Sequence, residues 1–241
     1  LVAGTAYGGQ ASVSLLSDFL PYGRYLMALP ILVLIHPYID RQVVLVLTGL
    51  REAHLVRPAD DEMLREKVER ARQLWLSPPV RIALLGTAVA TAFLMVRATV
   101  AVDAPEWIFR PGTDPPALST AGWWNAAVNG PLLRLLILIT VWKLVVWSWF
   151  LLQLARMPLN YQPMHADGCA GLSILERVQY GFGGIAAALS IQFGCIIADA
   201  VSYRGIELAS FRLPAAVFVV LMVFILLGPL TGFIRPLTVA C

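Results

Sequence analysis

Hydrophobic residues are gathered into five long segments, which polar or charged stretches separate. The segments cover approximately residues 25–50, 82–102, 132–155, 178–201 and 214–234. A helix needs about 20 residues to cross the hydrocarbon core of a bilayer, and a segment in lipid must satisfy its backbone hydrogen bonds internally. The pattern therefore predicts an all-α, polytopic transmembrane helix bundle with five visible spans, and a single integral membrane domain over residues 1–241.

Both ends of the chain continue this apolar pattern. The sequence starts at Leu1 with the stretch LVAGTAYGG, and it stops at Cys241, just past the last predicted span. We expect one more helix upstream, which would give the intact protein six spans.

The first segment carries a polar interruption, HPYIDR, at residues 36–41. Pro37 disturbs a helix because it has no N–H and its ring collides with the preceding turn. Two placements of the span are open. If it covers residues 25–50, Asp40 and Arg41 lie near its centre. If it covers residues 20–39, they lie at the membrane interface and VVLVLTGL begins an amphipathic helix.

A charged loop at residues 51–81 separates the first two spans. Within it, ADDEMLREKVERARQLWL has its acidic residues first and its basic residues later, an order that suits the helix dipole. A broken apolar stripe comes from Met63, Val68, Leu74 and Leu76. We predict a solvated helix here, lying along the membrane surface. Lys and Arg concentrate in short cytoplasmic loops, so the seven basic residues of this loop predict that it is cytoplasmic.

The next loop, at residues 103–130, has the opposite character. It holds one basic residue, three acidic residues and the tryptophans Trp107, Trp123 and Trp124. Tryptophan is enriched at membrane–water interfaces, so we predict a Trp-rich loop on the outer side. Alternation then places residues 156–177 in the cytoplasm and residues 202–213 outside.

The composition supports a membrane protein and excludes several other classes. Hydrophobic residues make up 59% of the 241 positions and charged residues only 14%, whereas soluble domains have about 25% charged residues. The formal net charge is +3, and the basic residues form no tract of the kind that binds nucleic acid. The three cysteines form no CxxC pair and no disulfide framework.

Lys143 stands out because it lies inside the third predicted span, far from both ends. A charge in the hydrocarbon costs at least about 2.5 kcal/mol on insertion scales, so it usually has a partner, water or a functional path. Asp40 is the predicted counter-ion, and His36 is a third intramembrane polar residue. Three interpretations are open: a structural ion pair, a permeation or proton path, and a tilted helix whose lysine reaches the interface.

The fourth predicted span is rich in small residues, which allow helix backbones to approach closely. They are Gly181, Gly183, Gly184, Ala186, Ala187, Ala188, Ser190 and Gly194. This composition predicts a packing helix, within one chain or between chains. We therefore expect the partners to be the lipid bilayer together with further copies of the chain or other membrane subunits.

The turn before the fourth span, HADGC, concentrates candidate chemistry. Ser173 and Glu176 match a capping box that opens a helix near Ile174. Asp167 begins an Asp-Gly turn, and we expect its carboxylate to hold the turn by accepting hydrogen bonds from nearby backbone N–H groups.

The same turn also offers metal ligands. In an extended segment, His165, Asp167 and Cys169 project to one side and supply nitrogen, oxygen and sulfur atoms that suit zinc or a similar ion. A fourth ligand would have to come from elsewhere, such as His54. The leading expectation is no cofactor, with zinc or another metal at His165, Asp167 and Cys169 as the alternative. Catalysis by Cys169 with His165 is disfavoured, because so short a turn does not fix a base against a nucleophile.

The segment PMHADGCAGL resembles the His-Pro-Asp-x-x-Gly-Gly-Leu signature of a family of uncharacterised bacterial polytopic membrane proteins. Asp18, Arg24-Tyr25-Leu26 and Pro30 are similar to the stretch before that family's second helix. In this sequence Ala166 and Ala170 replace the usual Pro and the first Gly. The family has no known activity, so the resemblance implies architecture and a bacterial inner (plasma) membrane location, not a mechanism.

Three functional classes follow from these observations. The leading hypothesis is a channel- or transporter-like membrane protein of unknown substrate, with Lys143, Asp40 and His36 as its interior polar residues. The second is a structural or accessory subunit of a larger membrane assembly, and the third is a metal-dependent membrane enzyme or sensor. No catalytic residue is assigned, and a function other than an enzyme is favoured.

Overall fold

The structure is a computed structural model that describes residues 18–52, 55–100, 106–110, 117–160 and 172–233. Within these ranges, five helices are long and apolar enough to cross a membrane: Phe19–Leu50, Pro58–Arg97, Thr120–Leu154, Ser173–Arg204 and Leu208–Phe233. The β pairing of the described residues is limited to one isolated bridge between Phe109 and Leu118. The all-α class predicted from the sequence is confirmed, and the five spans are those expected of a multi-pass membrane protein.

We number the long helices in chain order. They are α1 (Leu29–Glu52), α2 (Asp61–Leu76), α3 (Pro78–Val100), α4 (Gly130–Leu154), α5 (Glu176–Arg204) and α6 (Arg212–Leu227). The short helix Phe19–Pro21 and the π-helix Tyr22–Ala28 lead directly into α1, and Thr120–Trp124 and the π-helix Asn125–Asn129 lead into α4.

The first span runs through its polar interruption, and the third span starts earlier than the sequence predicted. Pro37 lies inside α1, and the helix continues through HPYIDR without a break. A proline is tolerated in a membrane helix because the few backbone groups that it frees can be satisfied locally. The third span starts at Thr120 rather than near Leu132, because the Ser119 hydroxyl caps this helix by accepting a hydrogen bond from Gly122 N at 3.0 Å.

The chain divides into two compact units. One unit comprises residues 1–30, 79–139 and 188–210. Within it, Asp18 is buried and organises a polar cluster: its carboxylate accepts hydrogen bonds from Leu20 N and from Trp107 Nε1, both at 2.9 Å. The Ser119 hydroxyl in turn donates to Trp107 O at 2.7 Å. These bonds fix the start of the first span against the segment that carries Trp107.

The other unit comprises residues 31–78, 140–187 and 211–241. It contains a hydrophobic core whose largest buried side chains include Trp147, Phe182 and Leu151. Helix α2 packs on this core through Leu64, Val68, Ala71 and Trp75. Their spacing of three and four residues lines one face of a helix.

The packing face of α2 therefore differs from the predicted stripe. Val68 belongs to both, but Met63, Leu74 and Leu76 are exposed. The opposite face of α2 carries charge pairs, including Arg70 with Glu66 at 2.6 Å. Both of these side chains are more than half exposed, as expected for a solvated face.

Helix α5 uses two of its glycines for close packing, as its composition predicted. A Cβ atom added at Gly184 would lie 2.7 Å from Ile35 Cγ1, and one added at Gly181 would lie 2.8 Å from Ile39 Cγ1. Gly183 faces open space, with nothing within 4 Å of such an atom. The close contacts of Gly181 and Gly184 are thus made with α1 of the same chain.

The ends of the two loops predicted to be cytoplasmic lie together in this unit. Asn160 N donates a hydrogen bond to Leu55 O at 2.8 Å, and Arg57 Nε donates to Pro158 O at 3.3 Å. The loops at 51–81 and 156–177 therefore emerge on the same side. The assignment of that side to the cytoplasm stays a prediction.

Candidate functional site

The candidate site is a line of polar side chains between α1 and α4, which we call the seam. It consists of two pairs of side chains one helical turn apart, which we call the outer and the inner rung. In the outer rung, Lys143 Nζ donates a hydrogen bond to Asp40 Oδ1 at 2.6 Å. The lysine side chain is 10% exposed and the aspartate side chain is 51% exposed. We predicted this pairing of Asp40 with Lys143 from the cost of a lone buried charge, and the two residues do form it.

The inner rung joins His36 to Thr140. The His36 Nε2 and Thr140 Oγ1 atoms are 3.3 Å apart, and which of them donates depends on the histidine tautomer. Thr140 is fully buried. Residues three or four apart share one face of a helix, so His36 stands beside Asp40 on α1, and Thr140 stands beside Lys143 on α4. The seam therefore combines an imidazole, a hydroxyl, a carboxylate and an ammonium group.

Two tryptophans attach the end of α2 to the outer rung. Trp75 Nε1 donates to Asp40 Oδ1 at 3.1 Å, and the Trp75 ring lies 5.2 Å from Lys143 Nζ, a cation–π distance. Trp142 Nε1 donates to Leu74 O at 3.1 Å, a carbonyl in the last turn of α2 that also accepts a hydrogen bond from Ser77 N at 3.4 Å. The Asp40 carboxylate thus accepts from both an ammonium and an indole.

Both placements of the first span stay predictions. The candidate span Phe19–Leu50 contains His36 and Asp40, and Asp40 also contacts Trp75, which comes shortly before the start of α3 at Pro78.

The turn that carries the candidate metal ligands lies outside the described residues. His165, Asp167, Cys169 and the additional candidate His54 all fall in this category. Among the residues that the structure describes, no group of three or more His, Cys, Asp or Glu side chains is placed to hold a metal ion. The predicted metal site and the predicted role of Asp167 in the turn both stay predictions.

The predicted helix start lies at the edge of the described region. A 3-10 helix, Leu172–Leu175, precedes α5, which begins at Glu176. The Glu176 carboxylate accepts a hydrogen bond from the Tyr180 hydroxyl one turn later. The helix therefore starts close to Ile174 as expected, while the reciprocal capping by Ser173 and Glu176 stays a prediction.

Three residues of this region escaped the sequence argument. Thr140 and Trp75 contact the seam, and the Gln179 side chain donates to Leu226 O within the same unit. The position of Thr140, three residues before the interior Lys143, was a signal in the sequence that could have identified this threonine. The role of Trp75 has no such signal, since it depends on how α2 packs.

The chain matches no known family model, no curated protein and no solved structure.

Proposed function

We propose that this chain is a transport-type membrane protein in which the seam between α1 and α4 accepts and passes protons or a small cation. The observation that carries the proposal is the alignment of two rungs, His36 with Thr140 and Asp40 with Lys143, along one helix pair. Ionisable groups inside membrane spans commonly mark ion paths and proton relays. Structural ion pairing alone would not require the His36–Thr140 rung.

The exposed fractions of the side chains in the two rungs suit a path that a cation or a proton enters at Asp40. The Asp40 carboxylate is half exposed, so an incoming cation or proton can reach it, whereas Lys143 is almost fully buried and compensates the carboxylate at rest. Thr140 is fully buried one turn further in. Histidine is the side chain best suited to exchange protons near neutral pH, which gives His36 the role of the next acceptor. The substrate class is therefore a proton or a small inorganic cation.

The test is ion flux into vesicles that contain the purified protein. A potassium gradient with valinomycin sets the membrane potential, and a dye inside the vesicles reports proton entry. We expect flux above that of protein-free vesicles, and its loss in Asp40→Asn and in His36→Asn. Glu66→Gln is the matched control, because it removes a carboxylate from an exposed pair on α2 that has the same 2.6 Å separation.

Two results would contradict the proposal. One is wild-type flux no higher than that of empty vesicles for both protons and small cations. The other is unchanged flux in both seam variants, provided that circular dichroism shows them folded. Either result would shift the preference to the second functional class.

The second class, a structural subunit of a larger assembly, has one observation in its favour. Helix α6 has no buried residue, although its exposed side chains include large apolar ones such as Phe224 and Val220. Lipid alone can cover such a helix, but so can a second copy of the chain or another subunit. Crosslinking in native membranes, followed by mass measurement of the adducts, tests for such partners. We further propose a bacterial inner membrane location, which rests on the resemblance of the HADGC segment.

A further inference from the structure

A second polar cluster lies in the segment with Arg24 and Tyr25, which the sequence singled out and the proposed ion path does not use. The Tyr25 hydroxyl donates a hydrogen bond to Asn125 Oδ1, and the Arg24 guanidinium hydrogen-bonds to the same hydroxyl. Arg134 of α4 is a second cation close to Tyr25. All four residues belong to one of the two compact units, and every residue of the seam belongs to the other.

Two π-helices position these side chains. The Leu29 amide donates to Arg24 O and closes the last turn of the first π-helix, and the Gly130 amide donates to Asn125 O and closes the last turn of the second. Such turns are rare in proteins and are frequent at functional sites. The two irregular turns therefore carry residues whose side chains meet between the helices.

Gly130 leaves room for the second arginine. A Cβ atom added to Gly130 would lie 3.0 Å from Arg134 Nη1 and 3.0 Å from Asn125 O. In its place, Arg134 Nη1 donates a hydrogen bond to Gly130 O at 3.1 Å. Side chains on a helix point toward its N-terminus, so this guanidinium is directed back toward the level of Asn125.

The two arginines of the cluster have no acidic partner. Among the residues that the structure describes, neither Arg24 nor Arg134 forms an ion pair with a carboxylate. The two acids nearby are engaged elsewhere, since Asp18 accepts two N–H groups and Asp199 pairs with Arg204 at 3.4 Å. These three arginines and two aspartates leave the neighbourhood with one positive charge.

The cluster lies inside two candidate spans that start at Phe19 and Thr120. Tyr25 and Asn125 are each about 8–9 Å past the start of their span, at 1.5 Å per residue. A charge within a span usually has a counter-charge, water or a functional path. Arg24 and Arg134 also repel each other, which hydration weakens but does not cancel. The missing counter-charge is therefore one that an anionic ligand would supply.

We propose that Arg24 and Arg134, together with the Tyr25 hydroxyl and the Asn125 amide, bind a singly charged phosphate group. A guanidinium donates two parallel N–H groups to the oxygen atoms of a phosphate, and neither arginine is fully buried. One negative charge offsets the one positive charge of the neighbourhood. Basic pockets between membrane helices are known to hold lipid head groups, and inorganic phosphate offers the same chemistry, so the experiment separates these two sources.

The test measures thermal unfolding of the purified protein in maltoside micelles, which contain no phosphate. Sodium phosphate is compared with sodium chloride at equal ionic strength, and phosphatidylglycerol is compared with a neutral diglucosyl glycerolipid. We expect at least one of the two phosphate compounds to raise the unfolding temperature of the wild-type chain in a saturable manner, beyond its control. A rise with phosphatidylglycerol alone assigns the site to a lipid head group, and a rise with inorganic phosphate alone assigns it to a soluble anion. A rise with both shows that the phosphate group itself is recognised.

Variants then locate the effect. Arg24→Gln and Arg134→Gln each remove a charged donor and should raise the half-saturating ligand concentration about tenfold or more. Arg97→Gln is the matched control, because Arg97 is an exposed arginine of the same unit, with its guanidinium 5.4 Å from the centre of the Phe93 ring. It should leave the half-saturating concentration unchanged.

Three results would overturn the proposal. In the first, neither phosphate compound stabilises the wild-type chain more than its control, a result that does not depend on any variant folding. In the second, Arg24→Gln and Arg134→Gln are folded and keep the wild-type half-saturating concentration. In the third, Arg97→Gln weakens the effect as much as they do, which would show general attraction of anions to the basic surface.

Discussion

The Asp40–Lys143 pair should respond asymmetrically to the removal of its two members. Asp40→Asn leaves the ammonium of Lys143 in a pocket where the side chain is only 10% exposed. Breaking a fully buried ion pair costs about 3–5 kcal/mol. Here Asp40 is half exposed, the amide oxygen still accepts a hydrogen bond, and the Trp75 ring remains 5.2 Å from the ammonium. We therefore expect a loss of about 1–3 kcal/mol in the free energy of unfolding.

Lys143→Met should cost less. It replaces a buried charge by an apolar side chain of similar length, and it leaves a carboxylate that is 51% exposed and still bonded to the Trp75 N–H at 3.1 Å. A half-exposed carboxylate keeps much of its hydration, so we expect a loss of about 1 kcal/mol or less. The double variant Asp40→Asn with Lys143→Met should be more stable than Asp40→Asn alone, because no buried charge remains.

The measurement is chemical unfolding in mixed micelles, followed by circular dichroism so that changes near Trp75 do not affect the signal. Glu66→Gln provides the reference: its pair with Arg70 has the same 2.6 Å separation, but both side chains are more than 60% exposed. This control should change stability by about 0.5 kcal/mol or less. The reasoning would be refuted if Lys143→Met cost as much as Asp40→Asn, or if the two changes were simply additive.

Four further outcomes are expected. Gly184→Ala should destabilise the protein by about 1–3 kcal/mol through overpacking. Gly183→Ala meets open space and should be neutral or stabilising, because alanine favours helix. Equal effects of the two substitutions in thermal unfolding would contradict the assigned packing. Trp107→Phe removes a buried 2.9 Å bond to Asp18 and should cost about 1–2 kcal/mol in the same assay, and an unchanged transition would show that this bond contributes nothing. Elemental analysis of the purified protein should find no stoichiometric zinc; zinc that disappears in Cys169→Ser would establish the metal site instead. Cys169 should also resist a membrane-impermeant thiol reagent added from the outer side, and labelling from that side would reverse the topology.

The sequence by itself determined the features that depend on local properties. The number of spans and their helical state follow from runs of about 20 apolar residues, because a backbone in lipid must bond within its own segment. The charged helix Asp61–Leu76 follows from the order of its acidic and basic residues, which is also local. The need of Lys143 for a partner follows from the cost of a single buried charge.

The tertiary structure decided which of these features meet. Asp40 and Lys143 are 103 residues apart, and only the packing of α1 on α4 brings them within hydrogen-bond distance. The packing of α2 on the hydrophobic core places Leu64 and Trp75 on the inner face of this helix, although Met63 and Leu76 are equally apolar side chains. A side chain's hydrophobicity is a property of one residue, whereas its burial depends on which helices surround it, and that arrangement is not encoded in any single segment.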